Sequence, residues 1–208
     1  MTIAQNISST VPQTTQPTAC SVSGYHKGAY QVLDVVPRDN GTTTVDGYQA
    51  NNTSQLLIAP RPDGAVKVSG TLGGYPCQIN VVRASNGTIG VTGTQLGRDI
   101  TLTLTSNADE TVTVVGHQHG NAANYTVGPV ANGQAKLDGV QGGSPVHLLM
   151  RQSSLFVNVF GIAGSNRTDM SMMPKDATHD MTLERVGDFL PGFSTAERLA
   201  LTYGLIIA

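Results

Sequence analysis

The sequence is poor in the residues that many binding and catalytic classes require. Of its 208 residues, none is tryptophan, four are phenylalanine, two are cysteine and 12% are charged. With so few charged residues, the sequence contains no basic patch, so nucleic acid is not an expected partner. Two cysteines, Cys20 and Cys77, do not make a disulfide framework, and we expect two buried thiols.

Motifs of the common catalytic and nucleotide-binding classes are also missing. The chain contains no nucleophile elbow, no P-loop, no dinucleotide fingerprint and no HExxH. Its many serines have no recognisable arrangement of partner residues. We therefore expect no enzyme activity, no catalytic residue and no cofactor.

The N-terminal stretch lacks the features of a secretory signal, since it has neither a basic region nor an apolar run. Ser, Thr, Gln and Pro dominate it, which predicts a disordered arm over residues 1–18. Residues 19–208 are predicted to form a single domain. We expect a cytoplasmic location and no transmembrane helix.

The last fifteen residues, 194–208, are predicted to form a helix that the rest of the protein surrounds. Ser194 and Glu197 have the spacing of a capping box. From Ala196 onward the segment is apolar on nearly every side, whereas a surface helix would have one apolar stripe. At fifteen residues the segment is shorter than the ~20 needed to span a bilayer.

A period of twenty-three residues organises most of the chain. Apolar residues stand two positions before an anchor glycine and nine and eleven positions after it, with mostly polar residues between them. This alternation is typical of half-buried strands, so each unit is predicted to hold two strands. The six anchors are Gly24, Gly47, Gly70, Gly93, Gly116 and Gly139.

The connections have the composition of hairpin turns. Between units the chain reads, for example, PRDNG at 37–41 and PRPDG at 60–64, which favours a type I turn with a G1 bulge. Within each unit a second, glycine-bounded loop follows the anchor. Six hairpins predict about twelve strands. Residues 153–161 are predicted to be a thirteenth strand or a lead-out, and residues 163–180 a loop.

Twelve strands with one apolar face must enclose that face. At about 4.8 Å between strands and a tilt near 40°, they close into a barrel roughly 24 Å across. Inward side chains leave a bore of about 12 Å, the width of one α-helix. The prediction is an all-β, antiparallel meander barrel around the C-terminal helix. The alternatives are a β-solenoid capped by the helix and an open or two-layer sandwich.

This layout resembles the tubby-like group, which includes the tubby C-terminal domain, phospholipid scramblases and plant LURP-one-related proteins. The tail DFLPGFSTAERLALTYGLIIA, residues 188–208, is similar to scramblase endings, where a Phe-Pro-bearing stretch leads into an apolar helix. The resemblance implies a binding or scaffold module that contacts membrane phospholipid headgroups or a protein partner. It carries over no site residue, because neither the scramblase calcium site nor the basic tubby pocket has a counterpart here.

The glycine-bounded loops supply the first group of candidate ligand-binding residues. Gln recurs two residues after the anchor, and Tyr follows two of the anchors directly. Amide and aromatic groups around a ring suit the binding of a glycan, so a lectin-like module is the alternative function. The competing interpretation is that these glutamines face water. The candidates are Tyr25, His26, Tyr48, Gln49, Gln95, His117, Gln118, His119 and Gln141.

Two further patterns have the residue types of binding sites. His117 and His119 alternate as metal ligands can, but no third ligand is implied nearby, so no metal site is expected. Arg38, Arg61 and Arg83 recur near the turns between units and could bind an anion or a headgroup. Neighbouring acids favour a simple solubility role instead. A third functional hypothesis is a structural repeat or fibre subunit.

Overall fold

The computed structural model describes residues 17–176 and 180–207. Fourteen antiparallel strands form a closed barrel in which each strand pairs with its neighbours in the sequence and the first pairs with the last. The strands are β1 Cys20–His26, β2 Ala29–Pro37, β3 Thr43–Gln49, β4 Asn52–Pro60, β5 Val66–Leu72, β6 Tyr75–Arg83, β7 Ile89–Gln95, β8 Arg98–Ser106, β9 Val112–Gln118, β10 Asn121–Val127, β11 Gln134–Gln141, β12 Ser144–Gln152, β13 Val157–Ala163 and β14 Asn166–Pro174.

The predicted antiparallel barrel with a C-terminal helix is confirmed, but the strand count of about twelve is wrong by one hairpin. Residues 163–180, predicted to be a loop, contain β14. That strand closes the sheet, because it pairs with β1 from Cys20 opposite Pro174 to Tyr25 opposite Asp169. The solenoid and sandwich alternatives are wrong, since consecutive strands pair antiparallel in one closed sheet.

The alternation of residue types explains why these segments are strands. In β8, Ile100, Leu102 and Leu104 are buried, whereas the threonines between them face outward and are exposed. β-Branched residues fit such a pleated, half-buried surface. The same alternation runs round the barrel and lines its interior with apolar side chains.

The two ends of the barrel differ in their connections. At the turn end, which carries the connections from even-numbered to odd-numbered strands, Gly41 adopts φ of 79° and donates its N–H to the Arg38 carbonyl at 2.9 Å. The Arg38 N–H donates to the Thr42 carbonyl at 2.8 Å, as in the predicted turn and bulge. The glycine-bounded loops lie at the opposite end, which we call the loop end.

Helix α1, Thr195–Thr202, continues as a π-helical turn, Tyr203–Ile207, and both are buried. The predicted capping box is present: the Ser194 hydroxyl accepts from the Glu197 N–H, and the Glu197 carboxylate accepts from the Ser194 N–H. At the same spacing and tilt, fourteen strands close at about 28 Å, which leaves room for the helix and for large inward side chains. Ala208 lies outside the described residues.

The segment between β14 and α1 packs at the turn end. It contains a 3₁₀ turn, Leu183–Arg185, and its apolar side chains are buried. Thr18 is buried beside it, and its N–H donates to Asp188 Oδ2 at 2.9 Å. Residues 1–16 of the predicted arm lie outside the described residues. Among residues 17–176 and 180–207, no helix is long and apolar enough to cross a bilayer.

Candidate functional site

An inner ring of side chains closes the loop end of the barrel. Each odd-numbered strand contributes the residue two positions after its glycine, with Gly161 serving as the glycine of β13. Six of these residues are buried, and Gln49 is half-buried. The ring consists of His26, Gln49, Leu72, Gln95, Gln118, Gln141 and Ala163.

Two glutamines of the inner ring bind the end of the buried helix. Gln95 Nε2 donates to the carbonyls of Gly204 and Leu205, at 3.0 Å each. Gln118 Nε2 donates to the Gly204 carbonyl at 2.8 Å. The last carbonyls of a helix have no intrahelical partner, and here they end inside a barrel, so side-chain donors must supply one.

A relay of hydrogen bonds connects these amides to a cation. Gln118 Nε2 also lies 3.0 Å from Gln95 Oε1, Gln141 Nε2 donates to Gln118 Oε1 at 2.7 Å, and Lys27 Nζ donates to Gln141 Oε1 at 2.8 Å. Every amide in the relay points its donor toward the helix end. The positive charge of Lys27 therefore acts on the negative end of the helix dipole.

His119 joins the same relay. Its Nε2 lies 3.0 Å from Gln95 Oε1, an acceptor, so Nε2 carries the proton. Burial, together with the charges of Lys27 and Arg98, lowers the pKa of His119 to about 4. Burial also lowers the pKa of Lys27. At neutral pH His119 is therefore a neutral donor.

The structure thus gives three predicted ligand residues a different position from the one expected. Gln95 and Gln118 are 0% and 1% exposed, and the amide of Gln141 is committed to Gln118. The competing interpretation was that these glutamines face water, and the structure shows that these three do not. The amides of Gln95 and Gln118 hold the helix end, and the amide of Gln141 donates to Gln118.

The remaining polar members of the inner ring, His26 and Gln49, line a pocket of about 300 Å³ at the loop end. His26 Nδ1 lies 3.0 Å from Thr168 Oγ1, and burial lowers the pKa of His26 to about 3, so its ring is neutral. His26 Nε2 and Gln49 Oε1 are buried and have no hydrogen-bond partner among the residues that the structure describes.

The wall of this pocket combines an aromatic ring with small residues. Tyr75 is 57% exposed and lies against Gly97, where an added Cβ would stand 3.6 Å from Tyr75 Cδ1. At Gly73 a Cβ would meet Leu96 Cδ2 at 3.3 Å and Gln49 Oε1 at 3.5 Å. Glycine at this position therefore keeps the wall beside Gln49 open.

A second pocket of about 300 Å³ opens beside the first. Lys27 and His119 line both pockets, and Gln141 and Asn121 line the second. Several of its polar side chains already serve the relay: Lys27 donates to Gln141, and His119 is hydrogen-bonded to Gln95. The first pocket is the stronger candidate, because two of its polar residues, His26 and Gln49, have an unpartnered buried atom.

The other loop-end candidates face outward. Tyr25 and Tyr48 are 55% and 59% exposed on the outer wall of β1 and β3. His117 is also exposed on the outer wall. Within the described residues, no three His, Cys, Asp or Glu side chains are grouped so that they could hold a metal ion.

The three arginines lie at the turn end, Arg38 and Arg61 in two hairpin connections and Arg83 at the end of β6. Arg83 is bound to Glu197, and its guanidinium lies 5.2 Å from the ring centre of Phe193. Arg38 donates to Thr44 Oγ1 at 3.1 Å, and Arg61 is exposed. Arg83 is therefore the least available of the three to an external anion, because its guanidinium is already paired with Glu197.

Sequence reasoning missed Lys27, Asn52, Tyr75 and Leu96, which also line the first pocket. One signal was present in the repeat. Leu72 occupies the position of Gln49 in the next unit, and an apolar residue there indicates that this position faces inward.

Comparison of the chain with protein-family models, curated proteins and solved structures gives no match. The resemblance to the tubby-like group stays a prediction.

Proposed function

We propose that the protein is a non-enzymatic binding module whose loop-end pocket takes a neutral, hydroxyl-rich ligand such as one sugar unit of a glycan. The observation that carries the proposal is that two of the buried, unpartnered side-chain atoms of the described chain, His26 Nε2 and Gln49 Oε1, belong to residues that line this one pocket. A buried polar atom without a partner costs about 1–3 kcal/mol. A hydroxyl both donates and accepts, so one ligand can satisfy both atoms.

The rest of the pocket suits the same ligand class. Tyr75 and Leu96 offer apolar surface for the CH face of a sugar ring, and Asn52 offers an amide at the edge. A volume of about 300 Å³ is at the small end of ligand pockets, so it fits one compact unit. Lys27 is the one cation of the lining, and it already donates to Gln141. A neutral ligand therefore fits better than an anionic one.

The phospholipid and fibre hypotheses have weaker support. Headgroup binding through the turn end would rely on Arg38 and Arg61, since Arg83 pairs with Glu197. Edge-to-edge assembly needs a free strand edge. The fourteen described strands form a closed sheet, so they offer no such edge.

The test is a glycan array followed by calorimetric titration of the neutral sugars that bind. Gln49→Ala and Tyr75→Ala should each weaken binding about tenfold, the equivalent of one hydrogen bond or one stacking contact. The matched control is Gln78→Ala, which removes an exposed amide from the outer wall of β6.

Two results would contradict the proposal: an array without hits, or sugar binding that Gln49→Ala leaves unchanged. Anionic liposomes provide the competing arm. Retention of the protein on them, lost in Arg38→Ala and Arg61→Ala and weakened by salt, would favour the headgroup function instead.

A further inference from the structure

Exposed tyrosines are concentrated on one side of the loop end. The described residues contain four exposed tyrosines, and all belong to β1, β2, β3 and β6. Three of them, Tyr25, Tyr30 and Tyr48, lie on the outer wall and are called the tyrosine wall here. The outward positions that match Tyr25 and Tyr48 in the other odd-numbered strands hold no tyrosine. They are Thr71, Thr94, His117, Val140 and Ile162.

The tyrosine wall is one continuous surface. Tyr25 and Tyr30 are cross-strand partners whose ring centres lie 5.1 Å apart at an interplanar angle of 54°. Tyr48 is paired with Val32, so it is the diagonal neighbour of Tyr30. Diagonal neighbours in an antiparallel sheet lie about 7–8 Å apart, within reach of aromatic side chains.

The tyrosine wall begins where the loop-end pocket opens. Tyr48 directly precedes Gln49, and the two side chains lie on opposite faces of β3. Ala29 and Ala50 line the pocket, and the Ala50 N–H donates to the Tyr30 carbonyl at 3.1 Å. A ligand that leaves the pocket over this edge of the barrel therefore meets the tyrosines first.

The charges beside the tyrosine wall are of both signs, since the exposed Arg167 stands two residues before Asp169 on the outer face of β14. Asp169 is the cross-strand partner of Tyr25, and Asp34 lies opposite Asp46 farther down the same wall. Asp34 is paired with Lys175 at 2.7 Å, which leaves the exposed Asp46 and Asp169 as acceptors near the rings. Carboxylates accept hydrogen bonds from sugar hydroxyls.

We propose that the tyrosine wall extends the pocket into one site for a neutral oligosaccharide. One sugar unit occupies the pocket, and the following units stack on Tyr48, Tyr30 and Tyr25. This inference rests on the proposed function, and it adds that the ligand is a chain and that its affinity increases with length.

The experiment compares chain lengths by calorimetric titration. The probes are glucose, galactose, mannose and N-acetylglucosamine with their homo-oligomers up to the hexasaccharide. Tyr30→Ala and Tyr48→Ala should each weaken oligosaccharide binding threefold to tenfold and leave monosaccharide binding unchanged. Tyr48→Phe keeps the stacking face and should restore most of the affinity. The control is Val140→Ala, at the equivalent outward position of β11.

The possible failures are distinguishable. Two results would overturn the inference and leave the proposed function standing. One is an affinity for sugars that does not increase with chain length, and the other is oligosaccharide binding that neither tyrosine variant weakens. If no sugar of any length binds, both are wrong. Tyrosine-dependent adsorption to uncharged phosphatidylcholine vesicles without oligosaccharide binding would assign the tyrosine wall to a lipid surface and also overturn the inference.

Discussion

Arg83 holds the carboxylate of Glu197 at two points, with Nη1 3.1 Å from Oε1 and Nη2 2.8 Å from Oε2. Arg83 ends β6 and Glu197 lies in the first turn of α1, so this contact joins the barrel wall to the helix that fills it. The Ser106 hydroxyl donates to the same carboxylate at 2.7 Å. An arginine that was predicted to bind an external anion thus binds an anion of its own chain.

Removal of the contact between Arg83 and Glu197 should destabilise the protein. Arg83→Met should lower the free energy of unfolding at pH 7 by about 1–3 kcal/mol, because Glu197 then keeps a buried charge with fewer donors. Urea denaturation measures the change. Arg61→Met, at an exposed position of another turn, should change the free energy by less than about 0.5 kcal/mol.

The acid side of the stability profile provides the second prediction. Burial raises the pKa of Glu197, but hydrogen bonds from Arg83, Ser106 and the Ser194 backbone outweigh it and lower the pKa below 4.5. A carboxyl with a lowered folded-state pKa stabilises above its unfolded pKa, and this contribution is lost as the pH falls through the folded value. The parent should therefore lose more stability below pH 4.5 than Glu197→Gln does. Parallel unfolding curves over this range would contradict the assignment.

The glutamine relay predicts a cost for an apolar replacement of similar size. Gln118→Leu removes one of the two side-chain donors to the Gly204 carbonyl, so that Gln95 remains as the other. The substitution also deprives Gln141 of its acceptor. The free energy of unfolding should fall by about 1–3 kcal/mol. Gln78→Leu, on the exposed wall, is the control. A Gln118→Leu protein as stable as the parent would mean that water satisfies the helix end.

Replacement of an anchor glycine by alanine should cause a steric clash, and comparison with a turn glycine separates this clash from the cost of the backbone conformation. At Gly93, φ is 143° and an added Cβ would stand 2.0 Å from the Gln78 carbonyl oxygen, so Gly93→Ala should cost about 3 kcal/mol or more. At Gly87, φ is 86° and nothing lies within 4 Å of an added Cβ. Gly87→Ala should therefore lower the free energy of unfolding by only about 1 kcal/mol, the cost of placing alanine in the left-handed conformation. Equal losses in thermal unfolding would contradict the steric explanation.

Much of the barrel could be predicted because the period and the alternation are local properties of the chain. Strand β8 carries Leu or Ile at each of its buried positions, so its inward face is clearly apolar. β14 was missed, and β13 was predicted only as an alternative to a lead-out, for two reasons. Gly161 follows Gly139 by twenty-two residues and not twenty-three, and the inward face of β14 consists of Thr168, Met170 and Met172.

The candidate site was harder to predict because its partners are distant in the sequence. The position of Gln95 in the repeat was recognised, but its partner carbonyls, on Gly204 and Leu205, lie more than one hundred residues away. A repeat pattern treats equivalent glutamines alike. The asymmetric helix end distinguishes them, since it pairs with Gln95 and Gln118 and leaves Gln49 with an unpaired oxygen among the described residues.

Closure of the sheet by β1 and β14 sets an order of assembly during synthesis. Thirteen strands emerge from the ribosome before the strand that completes the ring, and α1 emerges after that. Until then the sheet has two free edges and an uncovered apolar face, which are the surfaces on which aggregates grow and to which chaperones bind. The nascent chain is therefore at greatest risk late in its synthesis, when the sheet is nearly complete, and the risk ends only when the helix enters the barrel.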